Sequence, residues 1–207
     1  MIKRLSLIFF SILLFVSSTV YADEGFKHIT PAQPTQSGDK IEVLEVFWYG
    51  CPHCFAFEPY VKKWLETKAD DVEFRRMPGI FRKSWIPHGR AYYTAQKLGV
   101  LDAIHSQLFD AIHKEKQKIY DEDSIKDFFE KQGVDGDEFT KVYESDEITT
   151  KIKQALIMGQ RYKVTGVPSI IVNGKYLVSG STAGSFENLL KVVDKLVDKE
   201  RAGTTKE

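Results

Sequence analysis

The chain has 207 residues, its 29 Lys plus Arg balance 29 Asp plus Glu, and 43% of it is hydrophobic against 28% charged. That length supports one well-buried domain or one domain carrying an insertion, and the composition excludes a disordered chain. The charge balance leaves no electrostatic footprint for nucleic acid or an anionic membrane surface, so neither is expected as a partner.

The first 22 residues read as a cleaved signal peptide. Lys3-Arg4 give a positive start, Leu5 to Val16 an apolar stretch, and Val20-Tyr21-Ala22 a small-residue pattern that puts cleavage after Ala22. A membrane anchor is the rival reading, but the span is marginal against the roughly 20 apolar residues a bilayer helix needs, and Ser17-Ser18-Thr19 weaken its end. No cysteine near the cleavage site offers a lipid anchor. Loss of Lys3 and Arg4 leaves 27 basic against 29 acidic residues, a mature charge of about −2.

After an extended lead-in around Pro31 to Pro34, Ile41 to Trp48 is rich in β-branched and aromatic residues and reads as a buried strand. A helix follows at once, with Pro52 suited to its first turn and Phe55, Tyr60, Val61, Trp64 and Leu65 on its buried side; Pro59 should kink it. Val72 to Met77 is a second strand, which makes a parallel crossover unit. Helical periodicity then covers about His88 to Leu98, Asp102 to Lys114, Ser124 to Gln132, Asp137 to Glu144 and Ile148 to Lys163. Ser169 to Val172 returns to strand character. Asn173-Gly174 signals a two-residue hairpin with Lys175 to Val178 as partner strand, and Ser185 caps a final amphipathic helix before a frayed tail from Arg201.

The sum is an α/β chain matching a thioredoxin-like fold with an inserted all-helical domain, although this pattern alone admits other α/β sandwiches. The expected divisions are residues 1–22 as signal peptide, 23–81 with 148–207 as the thioredoxin-like domain, and 82–147 as the helical insertion.

Two cysteines exist, Cys51 and Cys54. A disulfide closing so short a loop removes little entropy from the unfolded chain, so a stapling role is weak. A zinc site needs two further ligands, and His28, His88, His105 and His113 show no paired ligand spacing, so no metal and no bound cofactor are expected. At a strand-to-helix junction, Cys51 meets free N–H groups and the positive end of the helix dipole, which favour a thiolate, the species that attacks or leaves in disulfide exchange. Cys54, one turn on and nearer the core, is the resolving sulfur. His53, between them, can stabilise the Cys51 thiolate and so make the disulfide a stronger oxidant.

Glu45 lies in the otherwise apolar row Ile41, Val43, Glu45, Phe47 of the strand, opposite Leu44, Val46 and Trp48. Six residues before Cys51, it can sit beneath the dithiol and accept the Cys54 proton; alternatively it occupies a partly open position or pairs with Arg75 or Arg76. Pro168 belongs at a strand start, and generic statistics of about 5–6% for cis X-Pro bonds favour a trans peptide there.

FWYGCPHCFAFEP from Phe47 to Pro59, together with TGVPSIIVNGKY from Thr165 to Tyr176, resembles the DsbA family of periplasmic thiol:disulfide interchange proteins. The resemblance spans essentially the whole mature chain. It implies a thioredoxin fold with a helical insertion, Cys51 as the solvent-facing nucleophile, and Pro52 and His53 as the dipeptide that sets the redox character. It also implies Cys54 as the buried partner, Glu45 as the buried acid, a cis Pro168, and Val167 beside the dithiol, where its backbone pairs with substrate. Implied partners are reduced exported proteins and a DsbB-like membrane quinone reductase for reoxidation; a periplasmic monomer is expected. The competing functions are a disulfide isomerase or reductase of the same superfamily, a peptide-binding chaperone, and a thiol metal carrier. Fewer than about twenty residues between Ala22 and Ile41 leave no room for a dimerisation domain of an isomerase.

Overall fold

A computed structural model describes residues 25–204; the signal-peptide reading falls outside them. Five strands form one mixed sheet in the order β1-β5-β4-β2-β3. The long central strand β2 (Ile41–Phe47) is buried along its whole length. It runs parallel to β3 (Val72–Pro78) and antiparallel to β4 (Ser169–Val172), as a strand covered on both faces must be buried on both. β5 (Tyr176–Ser179) pairs with β4, and a two-residue β1 (Lys27–His28), not expected from the sequence, adds an edge ahead of the lead-in at Pro31 to Pro34.

The hairpin differs from expectation by one residue. Asn173 and Gly174 both take positive φ and Lys175 N–H donates to Val172 O at 3.0 Å, as a primed turn requires. Val172, however, pairs with Tyr176, so Lys175 belongs to the connection and β5 starts after it. At Gly174 an added Cβ would lie 2.0 Å from the Gln33 carbonyl oxygen, so the turn also packs against the lead-in segment.

Helix α1 (Pro52–Leu65) connects β2 to β3 and carries Pro59, the residue expected to kink it, inside one continuous helical segment. The helical block comprises α2 (Ile86–Lys97), α3 (Leu101–His113), α4 (Glu122–Lys131), α5 (Gly136–Tyr143) and α6 (Asp146–Arg161). The last three begin one or two residues before the periodic pattern does, because Asp121, Asp135 and Ser145 cap them through their side-chain oxygens. After β5 a single turn, α7 (Gly180–Ala183), leads to α8 (Phe186–Thr204). Ser185 accepts from Asn188 N–H as an N-terminal cap. The expected fraying at Arg201 is corrected: it is helical, and its guanidinium holds Asp71 through two bonds of 2.6 and 2.9 Å.

One apolar cluster joins Ile41, Val43, Ile170 and Val172 of the sheet to Phe57, Val61 and Trp64 of α1 and Leu189, Val193 and Leu196 of α8. The other joins Leu44, Val46, Ile171 and Leu177 to the helical block. Phe47 departs from the expected row and belongs to the second cluster. At the end of the strand its ring meets Tyr49, Tyr92, His105 and Phe109 where the helical block closes over the sheet.

Candidate redox site

The end of β2 turns sharply into α1. Cys51 N–H donates to Trp48 O at 3.0 Å, and Cys51 O accepts from Phe55 N–H at 3.1 Å, so Cys51 is the N-cap. Pro52 takes the first helical position, where its missing donor costs nothing. Gly50 has no room for a side chain, since a Cβ there would lie 2.4 Å from the Trp48 indole. Trp48 in turn stacks on Trp85, 4.2 Å between centroids and 4° from parallel, which braces the turn against the short 3-10 segment before α2.

Cys51 and Cys54 are both free thiols, 8% and 0% exposed. Cys51 is thus less open than the solvent-facing sulfur expected, though it remains the more accessible of the pair. Pro52 and His53 are exposed beside it. The two thiols are driven apart in acidity. The Cys54 thiol hydrogen bond lowers Cys51 to about 6, helped by the N–H groups of Cys54 and His53 at the helix start and, last, by the His53 charge; burial opposes them. Both expected stabilisers are present, and the helix-start N–H groups contribute more than the His53 charge. Burial pushes Cys54 far above an ordinary thiol, and both Cys51 and Glu45 add to that.

The Val167–Pro168 peptide bond is cis, as the family resemblance implied and generic statistics did not. It brings Val167 O to 3.5 Å from Cys51 Sγ, which donates to it as a thiol. A groove of about 230 Å³ runs from His53 past Thr165, Val167 and Pro168 to Ser179 and Phe186.

Glu45 is fully buried and pairs with Arg76, its register partner on β3, through Oε2 at 2.9 Å. Its Oε1 has no hydrogen-bond partner among the described residues. Burial raises Glu45 to about 7, with Arg76 opposing and Glu58 assisting. Of the alternatives expected for Glu45, the pairing with Arg76 is present, and burial nevertheless holds its carboxyl up at about 7.

Three residues of this cluster escaped the sequence reading as site residues. Arg76 Nη2 donates to both oxygens of Glu58 at 3.2 Å, and His105 Nε2 lies 3.3 Å from Glu58 Oε1. Burial pushes Glu58 up, but the His105 hydrogen bond and Arg76 outweigh it and hold Glu58 below the usual carboxylate range. Glu58 falls four residues after Cys54, one helical turn away, and that spacing was the one sequence signal available for it.

Residues 86–192 match the family model described as a DSBA-like thioredoxin domain. The chain is 42% identical over 183 residues to the thiol:disulfide interchange protein DsbA of Pseudomonas syringae pv. tomato, covering 88% of this chain and 86% of the relative. It is 40% identical to DsbA of Pseudomonas aeruginosa over 185 residues, 89% of this chain and 88% of that one. The chain belongs to the DsbA family. The crystal structure of Pseudomonas aeruginosa DsbA superposes with a TM-score of 0.83 over 88% of this chain and 95% of the other. The Xylella fastidiosa oxidoreductase DsbA does so at 0.81 with 33% identity, over 86% and 96%. The fold is accordingly a DsbA-type thioredoxin-like α/β fold with added helices, and the protein is a thiol:disulfide oxidoreductase.

Proposed function

We propose that this DsbA-family protein introduces disulfide bonds into exported proteins by exchange through Cys51-Pro52-His53-Cys54. The observation that carries the reading is the opposed acidity of the two thiols, a stabilised Cys51 thiolate beside a Cys54 that holds its proton. A substrate thiolate attacks Cys51 in the Cys51–Cys54 disulfide; Cys54 leaves and takes up a proton. A second substrate thiolate then attacks the substrate sulfur of the mixed disulfide, and Cys51 leaves as the stabilised thiolate.

Glu45 is the proton partner of Cys54 in this scheme. Its unpartnered Oε1 is the oxygen that can carry a proton, and a carboxyl titrating at about 7 can both give and take one at neutral pH. Val167 offers its backbone to the extended substrate beside Cys51, with the cis Pro168 and the adjoining groove holding the chain. A DsbB-like quinone reductase in the membrane reoxidises the dithiol, the protein works as a monomer in the periplasm, and residues 1–22 direct its export. In this reading 23–81 with 148–207 form the thioredoxin-like domain and 82–147 the helical insertion.

Replacing Cys54 with Ala tests the scheme. The variant should accumulate exported proteins disulfide-linked to Cys51, resolved by reductant, whereas Cys51→Ser should trap none. A Cys54→Ala variant that captures no substrate, or a reduction potential as low as thioredoxin's in the native protein, would rule the oxidase reading out.

A further inference from the structure

Arg76 serves two carboxylates with one guanidinium, Glu45 through Nε at 2.9 Å and Glu58 through Nη2 at 3.2 Å. The two acids therefore compete for it. Glu58 has a second donor on the far side. Its Oε1 can only accept, so the 3.3 Å contact requires a proton on His105 Nε2, and His105 Nδ1 then accepts from the Tyr49 hydroxyl at 2.9 Å. His105 is nearly buried in a box of Phe47, Tyr49, Tyr92 and Phe109, so the ring has little freedom to turn away. On its other side Glu58, partly exposed, lines a cleft of about 600 Å³ with Arg76, Lys62 and Asp102.

We propose that His105 is a positioning residue for the dithiol chemistry: its Nε2–H satisfies Glu58, which leaves Arg76 directed at Glu45. This rests on the reading of Glu45 as the proton partner of Cys54. The charged and titratable groups around the pair are Arg76 from β3, Glu58 and Cys54 from α1, Tyr49 after β2, Tyr92 from α2 and Asp102 from α3; β4 presents apolar Ile170 to Glu45. Burial keeps His105 below its ordinary histidine range, so it acts as a neutral donor.

The test compares His105→Leu, which removes the donor, with His105→Gln, which keeps an N–H, in the full oxidised chain. The readout is the Glu45 side-chain carboxyl in a carbon-13 NMR pH titration, assigned with Glu45→Gln. Without its donor Glu58 draws on Arg76, and Glu45 loses counter-charge. His105→Leu should therefore raise the Glu45 midpoint by about one pH unit, tenfold in proton affinity, and move the pH profile of thiol exchange the same way. His105→Gln should stay near the native value. A folded His105→Leu protein with native Glu45 titration overturns the proposal. Should that variant not fold, His105→Phe keeps an aromatic ring in the box of Phe47, Tyr49, Tyr92 and Phe109 but removes the donor, and must shift the midpoint upward as well; no shift overturns the proposal equally. A slowed Glu45→Gln with unshifted His105 variants removes this proposal alone. An unslowed Glu45→Gln with shifted His105→Leu removes the proton-partner reading instead.

Discussion

Two glutamates of β2, three residues apart, occupy opposite faces of the same strand, and both are buried. Each pairs at 2.9 Å with an arginine of β3, Glu42 with Arg75 and Glu45 with Arg76. They differ in what else reaches them. Glu42 Oε2 also accepts from Gln36 N–H at 2.8 Å and from the Ser37 hydroxyl at 3.0 Å, so it ties the lead-in segment to the sheet. Among the described residues Glu45 has Arg76 as its one side-chain donor and an orphaned Oε1, and its charge acts on Cys54. Burial and an arginine are common to both. On the proposed reading of Glu45, the number of donors to the ionised form separates a carboxylate that fastens from one poised to exchange a proton.

The largest effect should therefore come from the glutamate without chemistry. Glu42→Ala strands Arg75, the Gln36 N–H and Ser37 and should cost about 3 kcal/mol in urea unfolding, while the exchange rate per folded molecule stays native. A folded Glu42→Ala protein with impaired exchange would erase the distinction between the two sites.

Glu45→Gln should reverse the pattern. The amide fills the space but cannot shuttle a proton to Cys54, so stopped-flow reduction by a small thiol should slow by about 10- to 100-fold at pH 7 and lose its dependence on pH near 7. A native rate and profile would leave Glu45 as a second structural anchor.

The legibility of this contrast in the sequence was uneven. Glu45 stood out because strand alternation placed it in an apolar row, and Cys51 and Cys54 because a strand-to-helix junction is a local feature. Those inferences need only neighbours in the chain. Val167 lies 116 residues from Cys51, and no spacing rule joins them; the family resemblance alone did. His105 and Glu58 meet across 47 residues because α3 docks against α1, a tertiary event that leaves no periodic signal. Phe47 followed the row in sequence but turned to the helical block, since strand alternation fixes a side only while a sheet continues on both sides. The early helix starts at Asp121, Asp135 and Ser145 were legible as capping residues and were hidden by reliance on apolar periodicity.

The smallest expected effect bears on the two glutamates through the pH dependence of stability. In the oxidised protein Cys51 cannot titrate, and among the described carboxyls Glu45 is the one burial raises to about 7. Its folded value of about 7 lies above an ordinary carboxyl's 4.5, so the folded state binds the proton more tightly than the unfolded one. That contribution is complete below about 4.5 and disappears as the pH rises through about 7. Native protein should lose about 1 kcal/mol across this window relative to Glu45→Gln, a value discounted because Arg76 and Glu58 readjust. The reduced protein adds an opposite slope. Cys51, lowered to about 6, contributes stability that is complete above the unfolded thiol's value of about 8.5 and is lost as the pH falls through about 6. Denaturant titrations of both redox forms from pH 4.5 to 8.5 separate the two slopes. If the oxidised Glu45→Gln and native curves run parallel, Glu45 is held as firmly as Glu42 and the count of donors does not decide between them.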